Sequence, residues 1–485
     1  MYIGIDIGTS SVKAVVVDEG QTIVASAAAP LTVSRPKELW SEQNPADWWA
    51  AVEQAVGELR HTAGTAWRAV RAIGLSGQMH GAVLLDAAGE PIRPAILHND
   101  GRSHAEAAAL NARLPEIGRI AGVPAMPGFT APKLLWLARH EPGVLGRARH
   151  LLLPKDYVRF KLTGGFATDM CDASGALLLD GAQRDWSSKI AAAVDVPLAM
   201  LPTPLEGSAV SGLLQGAVAK EWGLPPGIIV AAGAGDAAAG AVASGAVNEG
   251  DAFISLGTAT QYFVARESYR PAPEQLIHTF CHALPGRWFQ MAALLNGAGA
   301  LAWAAGLMGR PDIGKLLEDT ERAFTGPSAL LFLPYLSGER TPHNKPQAKG
   351  VLFGLTPATT PEQVAQAVLE GVALSLADAQ GCLAATGPLP DCIAVNGGGS
   401  RSRFWMKILA STLDKTVLLQ EGSEAGPAFG AARLARLAAT GEAPGTVCTK
   451  PPIAAEITPD PALTAAYADR LEKFRSLYKA VEAHF

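Results

Sequence analysis

The chain has 485 residues, of which 48% are hydrophobic and 18% charged, enough to bury two or three sizeable cores. A formal charge of −5 with no dense Lys/Arg run gives no general attraction to nucleic acid or to an anionic lipid surface. Five cysteines, at 171, 281, 382, 392 and 448, show no CxxC spacing, which argues against a zinc site or a disulfide framework and for a reducing, cytoplasmic setting.

The N-terminus enters an apolar run directly, without the basic stretch and cleavage site of a secretory signal, and the apolar runs are too short or too Gly-interrupted to be read as membrane spans. IGIDIGT, SVKAVVVD and QTIVASAAA, separated by polar or Gly-containing breaks, predict an opening β-meander. NPADWWAAVEQAVGELR reads as a helix started by Asn-Pro, and RAIGLSG as a short strand. Helical spacing follows over 104–114, 132–140 and 156–163. IIVAAGAGD then reads as one buried strand ending in glycines and leading into a small-residue helix.

The opening theme recurs as AFISLGTAT (252–260) followed by QYFVARE, predicting a duplicated architecture. Further on come a helix in LNGAGALAWAAGLM, a strand in ALLFLPYL and a long helix in PEQVAQAVLEGVALSLADAQGCLAA. The strand CIAVNGGG and helices in SRFWMKILAST, EAGPAFGAARLARLAA and the C-terminal tail complete the pattern. The division falls near 245–250, giving parts 1–246 and 247–485.

Three stretches carry chemistry. In IDIGTSSVK, a Gly-Thr turn between strands can offer backbone N–H groups and a hydroxyl to a phosphate, Asp6 can orient a hydrated Mg²⁺, and Lys13 adds charge. A plain hairpin explains one such turn; two, with Ser255 where the first has Asp6, suit a polyphosphate held between them. In GAGDAAAG, Asp236 precedes a helix, where an ionised carboxylate is favoured, and the glycines leave room for close approach. An acid so placed can orient an attacking hydroxyl and accept its proton during phosphoryl transfer. NGGGS, with Gly398 and Gly399, suits a nucleotide-binding turn, although a tight strand–helix connection needs the same glycines. A fourth stretch, SGQMHG (76–81), sets Gln78, Met79 and His80 between two glycines, which is either a turn with core filler or a polar recognition loop. Trp40, Trp48 and Trp49 read as packing before sugar stacking.

Taken together these segments resemble the FGGY family of carbohydrate kinases, within the actin, Hsp70 and hexokinase superfamily. IGIDIGTSSVK, LTVSRP, LWSEQNPADWW, SGQMHGAVLLD, PGFTAPKLLW, LLPKDY, GAGDAAAGAV, SLGTAT, CHALPGRW, FLPYLSGERTPHN and EAGPAFGAARLA carry the resemblance over nearly the whole chain. It implies an α/β fold of two ribonuclease-H-like domains around a cleft, a sugar-binding N-terminal domain and a nucleotide-binding C-terminal one. It implies an enzyme that uses ATP and Mg²⁺ to phosphorylate D-xylulose on its 5-hydroxyl in pentose catabolism, with no nucleic-acid or membrane partner, and by family habit a homodimer. By resemblance Asp236 is the catalytic base; Asp6 supports metal and phosphates; Met79 and His80, with Gln78, Asn99 and Asp100, contact the sugar. Gly8, Thr9, Lys13, Gly257, Thr258, Gly398 and Gly399 face the nucleotide. The chain departs from its relatives in having GDA for GDN, His98 before Asn99 where Trp is usual, and SLGTAT for SLGTSG; these changes bear on sugar choice. Kinases of ribulose or glycerol are the nearest alternative. An Hsp70-type switch is another, for which a β-rich extension is missing from this sequence.

Overall fold

In the computed structural model, residues 1–422 and 426–485 are described; Ser423, Glu424 and Ala425, the last two of which begin the EAGPAFGAARLA segment, lie outside them. The first half begins with β1 (Tyr2–Ile7), β2 (Ser11–Val17) and β3 (Ile23–Pro30), then α1 (Pro45–Ala63), β4 (Ala72–Gly77), α2 (Thr130–His140), α3 (Pro154–Thr163) and α4 (Met170–Gly175). It closes with β5 (Val210–Leu213), β6 (Ile229–Ala231) and α5 (Asp236–Ser244). The second half supplies β7 (Ala252–Leu256), β8 (Thr260–Arg266), β9 (His278–Cys281), β10 (Trp288–Leu294) and α6 (Pro361–Ala384). Then come β11 (Cys392–Asn396), α7 (Arg403–Leu413), β12 (Thr416–Gln420), α8 (Gly426–Thr440), β13 (Ile453–Ile457) and α9 (Pro461–Val481).

The recurrence expected from the two Gly-Thr segments is structural. The first sheet runs β5-β6-β4-β1-β2-β3 and the second β9-β10-β8-β7-β11-β12-β13. In each, the strand before the Gly-Thr turn pairs antiparallel with its hairpin mate and parallel with the strand on its other side: β1 with β2 and β4, β7 with β8 and β11. Central strands covered on both faces read as continuous apolar runs, as YIGIDI does with all six residues buried.

Local signals fix the helix starts. Asn44 caps α1 by accepting from the Ala46 amide, Ser402 caps α7, and Thr360 and Gln363 form a reciprocal capping box on α6. α6 is long and apolar enough to cross a membrane, but most of it is buried within the second half, against α7, α9 and the second sheet. Two predicted elements differ. IIVAAGAGD is not one strand: Gly233 takes φ 80° and the chain re-enters the sheet only at Ala234–Gly235, beside Ser76 and Gly77. ALLFLPYL keeps a strand only over Leu331–Leu333, because Pro334 lacks a ladder donor. Strands β9, β10, β12 and β13, not read from the sequence, complete the second sheet.

One helix crosses between the halves. α8 lies in sequence between β12 and β13 of the second sheet but packs on β1 and β4 of the first. Gly4 and Gly74 permit this: a Cβ on either would collide with the Ala428 or Ala431 carbonyl oxygen. Gly430 likewise lets α8 lie directly on the Ala239 backbone of α5.

Candidate active site

The carboxyl ends of the parallel strands meet at a cleft of about 750 Å³ lined from both halves, where open α/β sheets place ligands. Asp236, Lys13 and Ala237 line it on one side, Ser255, Asn396 and Gly397 on the other. Asp236 reaches the cleft because Gly235 pairs with Gly77 at the end of β4, so the helix that follows starts at the sheet edge. Its Oδ1 accepts the Ala237 amide at 2.7 Å, leaving Oδ2 unengaged. Burial, then the charge of Asp6, pushes the Asp236 carboxyl up to about 7. Asp6 is itself raised, chiefly by burial, with Ser76 and Lys13 on the flanking strands pulling the other way. Its buried Oδ1 has no hydrogen-bond partner. Two neighbouring carboxylates that resist joint ionisation, one with an orphaned oxygen, form a donor set that fits a hard divalent cation such as Mg²⁺.

The Gly-Thr turns follow β1 and β7, and Ala259 of the second lines the cleft. Among the described residues no hydrogen bond is made by the amides of Thr9 and Ser10, nor by those of Thr258 and Ala259, so each turn has two adjacent donors to give. The Gly8 and Gly257 amides close their own turns, on Ser11 and Ala259. Gly397, not singled out from the sequence, carries φ 90° and lies against the Leu256 carbonyl, while Gly398 is exposed and Gly399 packs on Leu256 and Trp405. The three glycines thus serve both close backbone approach and packing.

SGQMHG lies beside the segment that carries Asp236. Gln78 bridges the strand end to the first turn: its Nε2 donates to the Gly8 carbonyl and to Gln43, and its Oε1 accepts from the Thr9 hydroxyl. Met79 lies against Gly235, where any Cβ would strike its Cγ and Sδ, one residue from Asp236. His80 holds φ 69°, a left-handed conformation that costs a non-glycine residue about 1–2 kcal/mol. Three bonds sustain it. Its carbonyl accepts from Thr130 Oγ1 at 3.0 Å and Lys133 Nζ at 2.7 Å, and its Nδ1 donates to the Gly175 carbonyl at 2.6 Å. Burial first, and then Arg340, His278 and Lys133, hold the imidazole well below its ordinary pKa, so the ring is neutral and Nε2 is an acceptor. Lys133 and Gly175, unmarked in the sequence reading, are what aim it; LLPKDY acts from below. Lys155 in that motif contacts Asp169 at 2.5 Å and Asp156 at 2.6 Å, and Asp169 caps α4, whose Gly175 carbonyl receives His80.

Other expected residues sit differently. Asp100 presents no free carboxylate: Arg102 grips both oxygens, at 2.8 and 2.6 Å, and the Ser41 amide donates at 2.6 Å, so it braces the loop. Asn99 is exposed beside it. Trp48 is core and hydrogen-bonds Gln43, Trp49 stacks on Trp222, and Trp40 carries the Arg102 guanidinium 3.5 Å from its ring centre. All three pack.

Models of the N-terminal and C-terminal domains of the FGGY family of carbohydrate kinases match residues 1–243 and 252–439. The chain is 46% identical to a xylulose kinase of Escherichia coli (strain K12), over 99% of both chains, and 45% identical to a xylulose kinase of Klebsiella pneumoniae, again over 99% of both. The crystal structure of a xyloylose kinase from Brucella ovis superposes with a TM-score of 0.96 at 44% identity, covering 100% of each chain.

Proposed function

The chain belongs to the FGGY family of carbohydrate kinases, and we propose that it transfers the γ-phosphate of ATP to the 5-hydroxyl of D-xylulose, giving D-xylulose 5-phosphate and ADP. The observation that carries this reading is the position of Asp236, whose carboxylate stands between a nucleotide-sized cleft and the Met79–His80 turn. The similarity to two xylulose kinases over their full length supports the choice of sugar.

The groups divide the work. Met79 offers an apolar face to the carbon skeleton, and His80 Nε2 accepts from a sugar hydroxyl. The 5-hydroxyl then lies against Asp236 Oδ2. Its oxygen bonds to the γ-phosphorus as the bond to the ADP oxygen breaks, and its proton passes to Asp236. The unengaged amides of Thr9, Ser10, Thr258 and Ala259 are the donors available to the phosphates. Asp6 and Asp236 are the residues suited to hold Mg²⁺, which when bound neutralises phosphate charge. With walls from both halves, closure would exclude water that otherwise competes for the phosphate.

A coupled ADP-release assay over D-xylulose, D-ribulose, L-ribulose, xylitol and glycerol, with and without Mg²⁺, tests the reading. The expected result is turnover with D-xylulose that requires Mg²⁺; a better acceptor elsewhere in the panel would overturn the choice of sugar.

A further inference from the structure

The acceptor wall built by SGQMHG is only half of a polar cluster, and the other half comes from the nucleotide-side domain. His278, the first residue of β9, is 1% exposed and neither ring nitrogen has a hydrogen-bond partner. Its ring packs on Phe129 at 5.5 Å, and Phe129 in turn meets His80 edge-on at 4.5 Å. Arg340 approaches the same place from the loop 337–344. Its backbone is held on both sides: Glu339 accepts the Leu295 and Arg340 amides, and Thr341 bonds Ala293 and Leu276. Its guanidinium, which lies over Gly128 and next to His98, makes no hydrogen bond or ion pair among the described residues. A fourth group, His98 Nδ1, is also buried without a partner.

Buried polar atoms left unpaired are costly, so three imidazole nitrogens and a guanidinium gathered beside His80 call for a ligand bearing several oxygens. We propose that Arg340 and His278 read the ketone end of the acceptor sugar, Arg340 donating to the C2 carbonyl oxygen and His278 bonding a neighbouring hydroxyl. The inference rests on the D-xylulose reading and deepens it. A 2-ketopentose closes its ring through the 5-hydroxyl, so the molecule that can be phosphorylated there is the open chain, with its carbonyl uncovered. A donor-only guanidinium matches that oxygen. The sugar is then held at one end by the first half, at Asp236 and His80, and at the other by the second, so that binding it draws the halves together.

The test is calorimetric titration of D-xylulose into the full-length enzyme without ATP, with ATP affinity and melting temperature measured alongside, for wild type, Arg340→Ala, Arg340→Lys, His278→Leu and His278→Gln. The expected result is a sugar Kd at least about tenfold weaker for Arg340→Ala and His278→Leu, with ATP affinity within about twofold. His278→Leu should match or exceed the wild-type melting temperature in the absence of sugar, because a partnerless buried imidazole has been removed, and should lose the sugar-induced rise. Xylitol, which lacks the carbonyl, should lose less affinity than D-xylulose on Arg340→Ala. Sugar affinity unchanged in all four variants, in an enzyme that does phosphorylate D-xylulose, overturns this inference alone. A wild type that neither binds nor phosphorylates any ketopentose overturns it together with the substrate reading.

Discussion

Asp6 on β1 and Asp236, which follows the Ala234–Gly235 segment on the other side of β4, are close enough that the charge of the first adds to burial in lifting the second to about 7. The base is therefore half-titrated near neutral pH. In the free enzyme kcat/KM should rise through an apparent pKa near 7. In Asp6→Asn, which removes the like charge, a carboxyl-specific NMR titration should find Asp236 ionising at lower pH. An unmoved midpoint would show that burial alone sets it.

Substitution of the base separates chemistry from folding. Asp236→Asn should cut turnover by about a hundredfold to ten-thousandfold while leaving ATP affinity nearly unchanged, the worth of a positioned base. Because the folded-state value lies above the ordinary value of about 4, the native protein holds a proton that the unfolded chain has shed between those two values. The stability this supplies is complete below pH ~4 and is lost as the pH climbs through ~7. Asp236→Asn should consequently raise the melting temperature at about pH 8 and much less at about pH 5, the opposite of a core lesion.

His80→Ala deletes the acceptor at Nε2 and should raise the KM for the sugar about tenfold, with little effect on that for ATP. Equal changes in both constants would count against a sugar contact. Lys133→Met should act in the same direction without touching the ligand, because the left-handed turn loses one of its holds.

Lys155 is fully buried among Asp156, Asp169 and Asp172, and three carboxylates then depend on it and Arg159 for compensation. Lys155→Met should cost about 3–5 kcal/mol of stability by leaving buried charge unpaired. Urea denaturation measures it.

Gly74→Ala places a methyl group on the Ala431 carbonyl oxygen, backbone against backbone, with no flexible side chain to yield. A loss of about 3 kcal/mol or more is expected, comparable with strongly overpacked cores. The exposed Gly143→Ala, which meets nothing, serves as the control.

The duplicated hairpins, the carboxylate at 236 and the SGQMHG turn were legible in the sequence because each is a local pattern: strand, turn, strand, or glycine beside an acid at a helix start. Gly397, Lys133, Gly175 and Arg340 act through partners tens to hundreds of residues away, and no spacing rule links them. Asp100 misled differently: the arginine that occupies it is only two positions on, but nothing in the spacing shows that the two pair. The last two strands of the second sheet escaped because TVLLQ and IAAEI are short and only partly buried, with weak alternation.

The placement of α8 joins the two halves by three passes of the chain. The polypeptide passes between its lobes once near residue 246, crosses back to leave α8 on the first lobe, and returns to finish the second. Severing the gene at the obvious midpoint would strip the front lobe of a supporting wall, so neither fragment is an independent unit.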